Sequence, residues 1–218
     1  KTHRSNTAGR WMLSLPFESN DGRLKTIVTS YKDKNGVVIN KDNLGVRWNG
    51  YIINKFPQET MTTFQGTDIP LARWADVLLM YAEAQTEYLN KAQGASIIND
   101  ELVYKSIEMV RQRAGLNPYT LKRGMSYDQL IKLIRNERRC EFAFEESRFW
   151  DIRRWKIAND IYSKPLHGVR ITKKEDGTFH YDYNMEVAKP YWDDRMYRLP
   201  IDHNEVLFNP NIVQNPGY

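Results

Sequence analysis

Three glutamates pose the first chemical question. Glu137, Glu141 and Glu145 recur every four residues, a spacing that stacks three carboxylates on one face of an α-helix. Carboxylates brought together this way can act as the acid and base of a glycosidase or hold a divalent cation. The surrounding residues point elsewhere. Between Glu137 and Trp155 five acids are interspersed with five arginines. Like charges at i, i+4 repel, so cations from elsewhere must offset them, and Arg113, Arg148, Arg153 and Arg154 are the candidates. Arginine suits this role because its planar fork binds carboxylates bidentately and stays charged. Such neighbours lower a carboxyl pKa, whereas a general acid needs it raised. Phe142, Phe144 and Trp150 in the same stretch mark it as interior. The expectation is a structural ion network of Glu137, Glu141, Glu145, Arg148, Asp151, Arg153 and Arg154, with no catalytic residue.

No other chemistry competes strongly. Cys140 is the single cysteine, so no internal disulfide or cysteine metal cluster forms. Between Arg139 and Glu141 it reads as a small buried side chain. His3, His167, His180 and His203 are scattered without metal-ligand spacing, and no phosphate-binding glycine loop or nucleophile elbow occurs. No metal or cofactor is expected. The net charge of +5 is spread thinly. Residues 1–68 hold 10 basic and 6 acidic side chains, 69–164 hold 16 and 13, and 165–218 hold 6 and 8. A nucleic-acid binder concentrates its basic residues, and none is expected as a partner.

Aromatic side chains offer a different function. Trp11, Trp48 and Trp192 fall in expected loops beside Arg10, Arg47 and Asp193, and Tyr51 follows Asn49-Gly50. A loop aromatic can stack on the C–H face of a sugar while flanking polar groups take the hydroxyls. These four are the candidate ligand-binding residues. The alternative for each is packing beneath its own loop. Trp74, Trp150 and Trp155 lie in helical patterns and read as core.

The elements that position these residues change character along the chain. Residues 1–68 are loop-rich, with short strands flanking Asn35-Gly36, a strong hairpin signal. They are expected to belong to the same binding domain as the rest. From 69 onward helices dominate. The first is expected over 70–90, opened by Pro70, with Trp74, Val77, Leu78, Tyr81, Ala82, Ala84 and Tyr88 at helical spacing. The second starts near Asn99 or Asp100, carries Val103, Ile107, Val110 and Ala114, and ends at Gly115. The third opens on the capping box Ser126-Tyr127-Asp128-Gln129 and places Leu130, Ile131, Ile134, Phe142 and Phe144 in the core. A fourth is expected over 148–162. A second hairpin turns at Asp176-Gly177, and the Pro- and Asn-rich tail is ordered to shield Val206, Leu207, Phe208, Ile212 and Val213. The fold class is mainly α: tetratricopeptide-like helical hairpins with loop-rich segments and short β-hairpins. No 34-residue consensus is evident.

Four blocks, in order, carry a resemblance. Ile69-Pro70-Leu71-Ala72-Arg73-Trp74-Ala75-Asp76, running to Tyr81-Ala82-Glu83-Ala84, looks like a helix of SusD/RagB proteins. Val110-Arg111-Gln112-Arg113-Ala114-Gly115-Leu116 is similar to that family's next helix end. Glu137 to Trp155, with Arg148-Phe149-Trp150-Asp151-Ile152-Arg153-Arg154-Trp155, resembles its most recognisable block. Leu199-Pro200-Ile201-Asp202, Asn209-Pro210 and Gln214-Asn215-Pro216-Gly217-Tyr218 resemble its closing segment, with Asp202 where members often carry proline. Residues 69–218 thus resemble the family's carboxy-terminal helical region with a hairpin and a docked tail.

The resemblance implies a non-enzymatic, lipid-anchored binding protein on the outer-membrane surface. It would capture oligo- or polysaccharide, or in some members peptides, for a SusC-like TonB-dependent transporter. Members are much longer, so a missing amino-terminal part of the same protein is an implied partner. The opening Lys-Thr-His-Arg, without initiator Met, signal peptide or lipoprotein cysteine, reads as a processed product or a piece. A helical scaffold that binds only protein is a second expectation, and a glycosidase using Glu141 or Glu145 a third.

Overall fold

The computed structural model describes residues 17–28, 30–32, 35–40, 52–53, 55, 70–176 and 178–218. The protein is mainly helical with short antiparallel hairpins, and divides into two compact units, Lys1–Glu145 and Glu146–Tyr218. In the first unit three helices, α1 (Trp74–Lys91), α2 (Glu101–Arg113) and α3 (Tyr127–Glu141), enclose the core. Helix α1 packs against both α2 and α3. Leu79, Ala82, Ile98, Val103, Tyr104, Ile107, Val110, Leu130, Ile134 and Phe142 form one buried cluster, each large aliphatic contributing about 1.5–3 kcal/mol by leaving water.

Local chemistry explains where α2 and α3 begin and end. The Asp100 carboxylate accepts from the backbone N–H groups of Leu102 and Val103, capping α2. At its far end Leu116 N–H donates to Arg111 O and Gly115 N–H to Gln112 O, with Gly115 at φ 75°. That pair of bonds is a Schellman closure, which needs a left-handed residue and suits glycine. The Ser126 and Gln129 side chains complete the expected capping box of α3.

A pair of two-residue strands joins the two helix starts. β5 (Ile97–Ile98) runs antiparallel to β6 (Met125–Ser126). The buried Tyr104 hydroxyl donates to Ile98 O at 2.8 Å and accepts from Met125 N–H at 2.9 Å. Upstream, β2 (Ser30–Lys32) and β3 (Val38–Asn40) form the hairpin around Asn35-Gly36. β1 (Ile27–Val28) pairs instead with β4 (Ile52–Ile53).

Several expectations need correction here. Helix α1 starts at Trp74 rather than 70, because Arg73 stays extended at φ −129° and ψ 157°. Its buried side carries Ala75, Leu79, Ala82, Glu83 and Thr86. Trp74, Val77, Tyr81 and Tyr88 lie exposed. The face with the bulkier aromatic side chains turns outward. Phe144 is likewise exposed. The chain leaves the helix at Phe142, and Phe144 takes φ 63°.

In the second unit the single helix expected over 148–162 is two: α4 (Ser147–Arg154) and α5 (Ala158–Tyr162). Ile157 N–H reaches Ile152 O and Lys156 N–H reaches Arg153 O. This is the same closure as at Gly115, but with Lys156 at φ 58° in the left-handed position. Trp150 is exposed rather than core. The long hairpin β7 (Leu166–Lys173) and β8 (Phe179–Ala188) follows, its turn held by Asp176, which accepts from the Thr178 N–H and hydroxyl at 2.9 and 2.6 Å. The tail folds back through α6 (His203–Phe208). Gln214 exchanges two 2.8 Å bonds with the Ile201 backbone, Asn215 donates to Leu199 O, and Arg195 donates to Gly217 O. Leu207, Phe208 and Val213 remain exposed, so the tail is ordered by amide hydrogen bonds more than by apolar cover.

Candidate functional site

The carboxylates of Glu137 and Glu141 lie on the buried face of α3, and Glu145 follows its end. Their positive partners come from segments distant in sequence. Arg23, in a 3-10 turn over Gly22–Thr26, meets Glu137 at 2.7 Å and Glu141 at 3.1 Å and is itself clasped by Asp21 at 2.7 Å. Arg73, just ahead of α1, reaches Glu141 Oε1 at 2.8 Å and forks onto Glu145 at 2.8 and 2.9 Å. Arg113, the last residue of α2, reaches Glu141 at 2.6 Å. Arg111 spans Glu18 at 2.7 Å and Glu137 at 3.4 Å. Lys55 pairs with Glu145 and donates to the carbonyls of Glu141 and Ala143 at 2.9 and 2.8 Å. Five carboxylates (Glu18, Asp21, Glu137, Glu141, Glu145) thus meet five cations (Arg23, Lys55, Arg73, Arg111, Arg113).

The electrostatics separate the two most buried glutamates. Burial opposes ionisation at Glu141, but the bond from Arg73 and the charges of Arg113 and Arg23 outweigh it and hold its carboxyl below the ordinary range. At Glu137 burial wins over Arg23 and Arg111, and its carboxyl is raised. Arg23 is held firmly charged: burial works against it, yet Asp21 and Glu137 overcome that cost. Arginine neighbours therefore pull both carboxyls down, and only at Glu137 does burial outweigh them. Glu137 is 3% exposed and closed off by Arg23 and Arg111. Cys140 is buried on the same helix, and burial pushes its thiol up to about 12, leaving it protonated and inert.

A second ionic knot lies on the same unit. Arg123 bridges Glu101 at 2.8 Å and Glu108, with its guanidinium 4.8 Å from the centre of the Tyr104 ring. Glu108 also accepts from Leu121 N–H at 2.7 Å. This pins the connection between α2 and α3. Among the described residues no cluster of three His, Cys, Asp or Glu side chains could hold a metal ion.

The other network candidates lie in the second unit and have partners there. Arg154 pairs with Asp151 at 2.8 Å within α4. Arg153 donates to the carbonyls of Met196 and Phe149, with its guanidinium 3.4 Å from the centre of the Phe149 ring. Arg148 is lowered by burial, against the pull of Asp151. Arg23, Lys55, Arg73, Arg111 and Arg113 pair with Glu137, Glu141 or Glu145, and of these five only Arg113 is among the candidates drawn from the sequence. Arg73 and Arg111 sit inside resemblance blocks, which was the available signal. Arg23 and Lys55 stand alone in loop-rich sequence and gave none.

Of the aromatic candidates, Trp11, Trp48 and Tyr51 lie outside the described residues. Trp192 is half-buried. Tyr162 stacks on it at 5.4 Å, Tyr197 meets it edge-on at 4.8 Å, and the Arg153 guanidinium lies 5.2 Å from its ring centre. Its indole N–H has no hydrogen-bond partner among the described residues. Tyr191 beside it is exposed, its hydroxyl donating to Asp193 at 3.2 Å.

The first unit is a helical frame fastened by an arginine–glutamate cluster, and the second carries a long hairpin and an amide-pinned tail. The sequence profile of the SusD family matches residues 13–218, and the chain belongs to that family. It is 28% identical over 195 residues to the SusD-like protein P2 of Formosa agariphila, covering 87% of this chain and 33% of that protein. A SusD-like protein from Bacteroides fragilis shares 34% identity, with a TM-score of 0.60 over 78% of this chain and 30% of the other. A SusD-like carbohydrate binding protein, also from Bacteroides fragilis, superposes with a TM-score of 0.64 at 23% identity, over 96% of this chain and 45% of its own. The chain spans about a third of the length of its curated relative. Among the described residues no helix is long and apolar enough to cross a membrane.

Proposed function

We propose that the chain is part of a non-enzymatic nutrient-binding protein at the outer-membrane surface that captures oligo- or polysaccharide and delivers it to a SusC-like TonB-dependent transporter. The observation that carries this reading is the family match over residues 13–218. The burial and neutralisation of the α3 glutamates support the non-enzymatic part, since a glycosidase needs two carboxyl groups open to the sugar. Ligand capture would rest on aromatic platforms, for which Trp11, Trp48, Tyr51 and Trp192 are the candidates, with hydroxyls held by nearby charged and amide groups. Trp192 would present only the part of its ring that Tyr162, Tyr197 and Arg153 leave free.

Isothermal titration of the SusD-length protein against a panel of glycans and peptides tests this. Saturable heat with one glycan class is expected, weakened about tenfold by Trp48→Ala, the loss of one stacked ring being worth about 1.4 kcal/mol. Silence across the glycans, with heat from peptides alone, would overturn the substrate assignment. Silence with both, alongside stable capture of the transporter, would replace ligand binding by a protein-only scaffold.

A further inference from the structure

The segment ahead of α1 is fastened to the helices by charge. Among the side chains described between residues 17 and 55, the buried ones are Asp21 and Arg23. Among the described residues, the apolar cluster of the first unit takes no member from this stretch. The attachments are polar instead. Gly22 N–H donates to Ala114 O at 2.9 Å, and Asn20 donates to Asn117 O at 2.6 Å. Glu18 pairs with Arg111. Arg23 and Lys55 supply the rest, meeting Glu137, Glu141 and Glu145 on α3 and just past its end.

These two cations stand at the same end of one strand pair. Arg23 lies in the 3-10 turn that leads straight into β1, and Lys55 follows β4 by two residues. The pair is antiparallel, with Ile27 opposite Ile53 and Val28 opposite Ile52, so the start of β1 and the end of β4 form a common foot on α3. At its other end β4 is entered directly from Trp48-Asn49-Gly50-Tyr51. Tyr51 is four residues from Lys55, a span of at most about 14 Å along the chain. Buried ion pairs hold such a foot firmly, because moving one partner leaves the other charge unmatched. We propose that Arg23 and Lys55 are positioning residues for ligand capture: their ion pairs with Glu137, Glu141 and Glu145 root the β1–β4 pair on α3 and so fix where Trp48 and Tyr51 meet the sugar. The inference rests on the reading of Trp48 and Tyr51 as stacking residues. It gives the glutamate cluster a part in binding that involves no contact with ligand.

Arg23 is buried and serves three carboxylates, so its loss endangers the fold. Lys55 is the better probe. Lys55→Met keeps most of the stem and removes the charge, and Arg73 still forks onto Glu145. In the SusD-length protein this variant is expected to weaken oligosaccharide binding about fivefold by titration calorimetry, because the segment must then be ordered during binding. Amide exchange at Ile27, Val28, Ile52 and Ile53 should quicken about tenfold, while exchange in α2 and α3 stays the same. Lys55→Arg, which restores the charge, should return both readings toward wild type. Unchanged affinity in Lys55→Met, where Trp48→Ala weakens binding, would overturn this inference and leave the proposed function standing. Weaker binding with unchanged exchange at β1 and β4 would also overturn it, by placing Lys55 against the sugar itself. No saturable heat from wild type with any glycan would remove the reading beneath the inference, and the inference with it.

Discussion

Glu141, itself 3% exposed, faces three guanidinium groups, from Arg23, Arg73 and Arg113. Removing its charge leaves those cations opposing one another, so Glu141→Gln is expected to cost about 3 kcal/mol at neutral pH, read from the urea midpoint. The pH dependence has a defined sign. Arg73 and its companions hold this carboxyl low in the folded chain, while an unfolded glutamate titrates near about 4.3. Its contribution is therefore complete above that value and fades as pH falls toward the folded one. The gap between wild type and variant should close in acid. Glu137 runs the other way, because burial raises its carboxyl. The folded state then holds that proton more tightly than the unfolded state does. Its contribution is complete in acid and is lost as pH rises through the raised value. Glu137→Gln should accordingly cost less at neutral pH than Glu141→Gln, and equal costs in paired urea titrations would contradict the assignment.

At the scale of elements, caps and closures decide where helices stop. The Ser126 hydroxyl accepts from Gln129 N–H at 3.3 Å, and Ser126→Ala should cost about 1 kcal/mol. Gly115→Ala isolates the backbone cost of a left-handed residue, since an added Cβ meets nothing within 4 Å there; about 1 kcal/mol is expected. Gly22→Ala should cost more. Its Cβ would lie 2.4 Å from Ala114 O, the atom that Gly22 N–H itself bonds. Thermal melts of the three variants rank these costs. The same elements show what could be read beforehand. Asp100, Ser126 and Gly115 announce helix ends because their side chains, or the lack of one, perform the capping. Lys156 performs the same closure as Gly115 with a residue that carries no such signal, so the break between α4 and α5 stayed hidden. The pairs Ile97–Ile98 and Met125–Ser126 were too short to show alternation. Helical spacing marked α1 but could not say which of its two apolar faces was buried.

For the whole molecule, the family was legible because its blocks are scaffold: helix seams fixed by packing, ionic fasteners, and a tail pinned by amide hydrogen bonds. The cluster's partners were less legible. Arg23 reaches Glu141 from over a hundred residues away and Lys55 reaches Glu145 from about ninety, and such contacts leave no local pattern. Ligand contacts were least legible of all, because a stacking aromatic and a packed one have the same sequence signature, as Trp192 among Tyr162, Tyr197 and Arg153 illustrates. The central claim is that the α3 carboxylates fasten a binding scaffold and do no chemistry. Prolonged incubation of the SusD-length protein with the oligosaccharide class proposed as its ligand, followed by mass analysis of the sugar, tests that claim most directly. The sugar should return at its original length from wild type and from Glu141→Gln alike. Shortened sugar from wild type that vanishes in Glu141→Gln would contradict it.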